Sequence, residues 1–169
     1  MSLLKGALIS GALALITAPM PLLARDSGAS DAAENAAPAA ETRHCTLNAR
    51  QVVERFIPLF YDQKNARLAF DRWVHPDYIQ HNPIAPDGAE AAVNTLQPFF
   101  DAMPDMQYTV HRVIAEDGLV MVHNHLKMNE EDRGSAVIDI FRVEDCKIVE
   151  HWDVIQAVPD KSMNENTMF

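Results

Sequence analysis

From Leu47 onward the apolar positions first recur every three or four residues and then alternate one by one. The stretch Leu47-Asn48-Ala49-Arg50-Gln51-Val52 reads as a helix start, where Asn48 can cap, Gln51 can answer it in a capping box and Leu47 can staple to Val52. Val52, Val53, Phe56, Leu59 and Phe60 supply the apolar stripe, and Pro58, which lacks a backbone donor, predicts a bent or shortened last turn. A second helix is predicted over 66–74, stopped ahead of Pro76. A third opens at Asp87, with Glu90 completing a capping box, and buries Val93, Leu96, Phe99, Phe100 and Met103 before Pro104. Beyond Pro104 the period falls to two, which predicts strands over 107–116, 119–128, 135–143 and 148–158. They are joined by Asp117-Gly118, by the polar stretch 129–134 and by Glu144-Asp145-Cys146. Helices followed by an antiparallel meander predict an α+β fold: a curved sheet of four main strands, plus short extra strands, with three amino-terminal helices on one face. Such a sheet closes into a cone with a deep pocket.

The amino end breaks this pattern. Lys5 precedes an apolar run over 6–18, and Ala24 offers a cleavage point, although Leu22 is larger than the residue usual three places before a cut. The run is too short for a bilayer span of about 20 residues, so 1–24 is expected to be a signal peptide and not a membrane anchor. Residues 25–42 are rich in Ala, carry scattered acids and show no periodicity, which predicts a disordered linker; the folded domain is then 43–169. The expected location is the periplasm or outside the cell, with no stable membrane insertion after cleavage. Two cysteines, Cys45 and Cys146, would there form a disulfide, the alternative being two buried thiols. A formal net charge of -10 opposes nucleic acid and anionic lipid as partners.

Chemistry enters through polar residues on segments that would otherwise be apolar. His81, His123, His125, His151, Asp139 and Asp153 all lie on strand-like stretches, where burial costs several kcal/mol unless each group is paired or solvated in a cavity. His123 shares a face with His125, and His151 with Asp153. The last hairpin decides whether Asp139 joins them. A three-residue bulged loop over 144–146 pairs Asp139 with His151 and Val137 with Asp153, which sends all three polar groups inward. A two-residue turn at Asp145-Cys146 pairs Asp139 with Trp152 and breaks the group apart. The bulged loop is the expected form. His44, His75 and His111 read as a tail residue, a turn residue before proline, and an outward or core-edge strand residue.

Three segments, Tyr78-Ile79-Gln80-His81-Asn82-Pro83, Val137-Ile138-Asp139-Ile140-Phe141-Arg142 and Lys147-Ile148-Val149-Glu150-His151-Trp152-Asp153-Val154, resemble the SnoaL-like branch of the nuclear transport factor 2-like superfamily. Cys146 stands where members usually carry Gly. The resemblance implies an α+β cone, a dimer through the outer sheet face, and a pocket in which some members perform intramolecular aldol cyclisation without a cofactor. It also implies that Asp153, two residues after His151, is the acid/base group. The residues agree with that assignment, since a carboxylate beside an imidazole in a partly apolar cone is suited to proton transfer. Asp139 or His123 would orient the substrate oxygen, His81 and His125 would assist, and Tyr78, Phe60, Phe100 and Trp152 would wall the cavity around a small-molecule ligand. No metal or cofactor is expected. Two other classes stay open: a metal site built from His123, His125 and Glu130, with His81 as a further ligand, and a binding module without turnover. Ile138, Ile140 and Arg142, with Val120 and Val122 opposite His123, are expected to form an outer apolar strip for a homodimer.

Overall fold

The computed structural model describes residues 45–169; the expected signal peptide, the whole of the expected linker and His44 lie outside the described residues. The first helix, α1, spans Ala49–Ile57. Its capping box is formed as expected: the Asn48 side chain accepts from the Gln51 backbone at 2.9 Å, and Gln51 Oε1 accepts from the Asn48 backbone at 3.1 Å. Pro58 cannot donate to the preceding turn, and the backbone continues as a π-helical turn over Pro58–Asp62, closed by the Gln63 N–H on the Pro58 carbonyl at 3.1 Å. Helix α2, Ala66–Trp73, is capped by the Asn65 side chain on the Leu68 N–H.

The chain then runs straight into strand β1, Val74–Gln80, so the second helix stops one residue earlier than predicted. Helix α3, Ala89–Ala102, departs from the expected capping box at Asp87 and Glu90. Asp87 instead accepts the Gln80 N–H at 2.8 Å, which ties the loop to the end of β1, and Glu90 is drawn to Arg67. Gly88, at φ +87°, is the residue that starts the helix, with its N–H on the Tyr78 carbonyl. Phe99 and Met103, expected in the core, stay substantially exposed, whereas Val93 and Phe100 are buried.

Strands β2 (Gln107–Glu116), β3 (Leu119–Lys127), β4 (Ser135–Glu144) and β5 (Lys147–Ala157) form the antiparallel meander. The sheet order is β1-β5-β4-β3-β2, with β1 parallel to β5 at the edge. The helices cover one face, where Val52, Val53, Phe56 and Phe70 pack on Val120, Val122, Phe141 and Ile148. This corrects the expected face of β3: Val120 and Val122 point inward and are fully buried, and His123 and His125 point outward. Burying each valine stabilises by about 1.5–3 kcal/mol, whereas an inward imidazole would need a partner, so the apolar set takes the core.

The last hairpin combines features of both expected forms. Asp145 and Cys146, both at positive φ, make a two-residue turn with Glu144 opposite Lys147, not the three-residue loop. A bulge at Val149 then shifts the register, so that Arg142 meets Glu150, Phe141 meets His151 and Asp139 meets Asp153. The expected pairs, Asp139 with His151 and Val137 with Asp153, are therefore displaced by two residues, which preserves the face. Cys146 is held in its left-handed conformation (φ +60°) and is bridged to Cys45, with Cα atoms 5.9 Å apart across 101 residues of sequence. Among the described residues no helix is long and apolar enough to cross a membrane.

Candidate acid and base site in the cone

β1, β2, β4, β5 and the π-helical turn converge on one cavity of about 120 Å³. Its walls are mostly apolar, with Phe56, Phe60, Phe70, Leu96, Val137 and Phe141 among them, and its polar groups are Tyr61, Tyr78, Tyr108, Gln80, Asn82, Asp139, His151 and Asp153. Asp139 and His151 are only 7% and 8% exposed, so each must find its partners inside the protein.

Asp139 does so completely. Its Oδ2 accepts from the Tyr61 hydroxyl at 2.7 Å and from Asn124 Nδ2 at 2.7 Å, and its Oδ1 lies 3.1 Å from His151 Nε2. Burial, reinforced by the Asp139 charge, pushes the Tyr61 phenol well above its ordinary range, so it stays a donor. The other ring nitrogen of His151, Nδ1, lies 2.9 Å from Gln80 Oε1. That amide oxygen also accepts the Asn82 backbone N–H at 2.9 Å, which fixes its orientation, and Gln80 Nε2 donates to the Tyr78 hydroxyl at 2.9 Å. Both imidazole nitrogens therefore face side-chain oxygens, and the ring is held from both sides.

Asp153 is arranged differently. It is half-buried and lines the cavity; Asn82 Nδ2 donates to its Oδ2 at 2.6 Å, and its Oδ1 has no partner among the described residues. One carboxylate is thus anchored by three donors and the other keeps a free oxygen in an aromatic cavity. Asp139, His151 and Asp153 also offer one ligand atom each within 4.8 Å of one another, a set that suits a divalent cation if His151 releases Asp139.

Of the residues singled out from the sequence, Asp153, His151, Asp139, Tyr78 and Phe60 line this cavity. His81, His123, His125 and Trp152 do not. His81 stacks on Trp152 with ring centroids 4.7 Å apart and bonds Glu150 at 2.7 Å on the other side of the sheet. His123 and His125 stack with Phe169 there, His123 Nδ1 lies 2.8 Å from Arg112, and His125 Nε2 lies 2.7 Å from the Arg133 carbonyl. Glu130 is exposed in the β3–β4 turn, so the ligand set of His123, His125 and Glu130 does not assemble at the cavity. Phe100 packs behind Phe60, in a cluster with Ala66 and Met106. Sequence reasoning missed Tyr61, Asn124, Gln80, Asn82 and Tyr108. Asn124 carried a signal, being the polar residue in step with Val120, Val122 and Leu126.

A family model described as SnoaL-like domain matches residues 53–151. The chain belongs to the SnoaL-like family. Solved structures agree on the fold. An NTF2-like protein of unknown function from Cytophaga hutchinsonii is similar at 19% identity and TM-score 0.54, over 66% of this chain and 93% of that one. A candidate SnoaL-like polyketide cyclase from Jannaschia sp. is similar at 19% identity and TM-score 0.53, over 66% and 88%. A candidate isomerase of the family from Agrobacterium tumefaciens is similar at 8% identity and TM-score 0.53, over 63% and 95%. No curated protein matches the chain. The SnoaL-like α+β cone expected from the sequence is thus the fold of this protein, with a mixed rather than purely antiparallel sheet.

Proposed function

We propose that this SnoaL-like protein is a cofactor-independent acid/base enzyme that moves protons on a small carbonyl compound, in an isomerisation or aldol-type reaction. The observation that carries this reading is the asymmetry of the two carboxylates. Asp139 is saturated by Tyr61, Asn124 and His151, whereas Asp153 is fixed by Asn82 and keeps Oδ1 free. Asp153 is the base: it takes a proton from the carbon beside the carbonyl and returns it after rearrangement or bond formation. His151 and Asp139 are positioning residues, since both nitrogens of His151 are engaged, by Gln80 and Asp139, and both oxygens of Asp139 are held. The names of the Jannaschia and Agrobacterium relatives, a cyclase and an isomerase, fit this chemistry.

Asp153→Asn is nearly isosteric and should keep fold and ligand binding while lowering turnover by about 100- to 10000-fold. The assay is a screen of small carbonyl compounds for proton exchange or product, with circular dichroism to check the fold. Unchanged turnover in the folded variant would sink the assignment. The convergence of Asp139, His151 and Asp153 gives a second reading, a divalent-metal site. Activity lost to a chelator and restored by one metal would establish it; chelator-insensitive activity supports the acid/base reading. Ligand binding without turnover of any screened compound would favour a binding module.

A further inference from the structure

The inner face of β3, β4 and β5 is built in rows that mark depth. Val120, Phe141 and His151 stand in one row, and Val122, Asp139 and Asp153 in the next. Asn124, Val137 and Ile155 make a third, and Leu126, Ser135 and Ala157 a fourth. Exposure rises in this order. On β5 His151 is buried, Asp153 is half-buried and Ile155 is 53% exposed; on β3 Val122 and Asn124 are fully buried and Leu126 is half-buried. The cavity therefore opens on the side of Asp153 away from His151. β1 ends at Gln80, which pairs with His151, so from Trp152 onward β5 has no strand beside it on that flank. That is why Ile155 both lines the cavity and stands out in water. Leu96 and Leu126, which pack in one cluster, line it as well, and no Lys or Arg does.

We propose that the substrate is an uncharged carbonyl compound with a hydrocarbon arm, whose head enters the cavity beside Asp153 and whose arm leaves it along Ile155, Leu126 and Leu96. The proposal rests on the acid/base reading for its reaction, and on the rows for the arm. The cavity of about 120 Å³ is slightly smaller than the one of roughly 150 Å³ that accommodates benzene in an engineered protein core, so it holds a head group and little more. Its deep end is closed by Phe56, Phe141 and His151, all buried. A larger compound therefore has one direction in which to extend, past Asp153 and outward. The strand rise puts the fourth row roughly 13 Å beyond Asp153, a distance that an arm of several carbons crosses. Each methylene laid on Ile155, Leu126 and Leu96 leaves water together with the apolar surface that it covers, and this is the term that selects the arm.

The test is calorimetric titration of the whole protein with 2-butanone, 2-pentanone, 2-heptanone and 2-nonanone. Affinity should rise by about two- to fourfold per added methylene. 5-Nonanone, which has the same atoms but carries hydrocarbon on both sides of the carbonyl, should bind at least tenfold more weakly than 2-nonanone, because one of its arms meets the closed end. Ile155→Ser, at an exposed position and checked for fold by circular dichroism, should cost more affinity with each carbon added. Affinity that is flat along the series, 5-nonanone binding as tightly as 2-nonanone, or a loss in Ile155→Ser that is equal for 2-pentanone and 2-nonanone would each overturn the arm. The isomer comparison needs no variant, so the inference stays open to refutation if Ile155→Ser fails to fold. Exchange of the ketones' α-protons in D2O separates this inference from the reading it rests on. Length-dependent binding without Asp153-dependent exchange would remove the enzyme and leave the arm. Asp153-dependent exchange with flat affinity would do the reverse.

Discussion

Tyr61 and Asn124 show how a buried carboxyl group is accommodated. Asp139 is nearly inaccessible to water, and each of its oxygens meets a polar partner inside the protein. Tyr61→Phe removes one hydrogen bond to a charged group and leaves the ring in place, so unfolding by urea should show a loss of about 1.5–3 kcal/mol. A change under half a kcal/mol would mean that Asn124 and His151 hold the carboxylate without it. His123 makes a different prediction on the opposite face of the sheet. Its imidazole is held below the ordinary value of about 6.5, by burial first and then by the charges of Arg112 and His111. A depressed histidine favours the neutral ring in the folded state, so its contribution to stability is whole above about pH 6.5 and declines as pH falls from there through the lowered value. Histidine titration by NMR should place the His123 midpoint below that of the unfolded chain, and Arg112→Gln should raise it. An unmoved midpoint in that variant would remove Arg112 as a cause.

Local chemistry made most of the elements legible. The Asn48–Gln51 capping box, the interruption at Pro58 and the alternation after Pro104 each fix a conformation through neighbours in sequence, and β2 was read with its observed limits. Two devices that complete the site were not legible. The bulge at Val149 turns a two-residue hairpin that would have separated Asp139 from His151 and Asp153 into one that keeps them on a common face, and nothing in the local sequence of β5 marks the extra residue. The π-helical turn that carries Tyr61 follows Pro58, but proline predicts only a break, not which residue the break presents. Asp87 and Glu90 failed as a cap because contacts distant in sequence, to Gln80 and Arg67, outcompeted the local one. The hairpin also takes part in the disulfide. The loop closed by Cys45 and Cys146 spans about 100 residues, for which chain entropy gives roughly 4–5 kcal/mol, so Cys45→Ser should lower the melting temperature by many degrees. An unchanged melting temperature under non-reducing conditions would show that the bridge does not constrain the unfolded chain.

On the scale of the whole molecule, two surfaces of the sheet carry different tasks. The helix-covered face holds the cavity, and the other presents Ile138, Ile140, Trp152 and Val154 beside the ion pair of Arg142 with Glu150. The expected strip thus keeps Ile138, Ile140 and Arg142, loses Val120 and Val122 to the core, and gains Trp152 and Val154. Phe169 folds over His111, His123 and His125 and covers the β2–β3 end of this face, which leaves the β4–β5 end as the uncovered part. Val154 is 63% exposed there. An exposed apolar strip on a chain with net charge -10 is the kind of surface that a second copy buries by twofold symmetry, and the charge disfavours less specific association. The homodimer expected from the sequence would therefore pack through β4 and β5. Sedimentation at micromolar concentration should give twice the mass of one chain, and Val154→Arg, which places two like charges near the symmetry axis, should return it to a monomer with its melting transition intact. A monomer for the unsubstituted protein, or a dimer that tolerates Val154→Arg, would place the contact elsewhere or remove it.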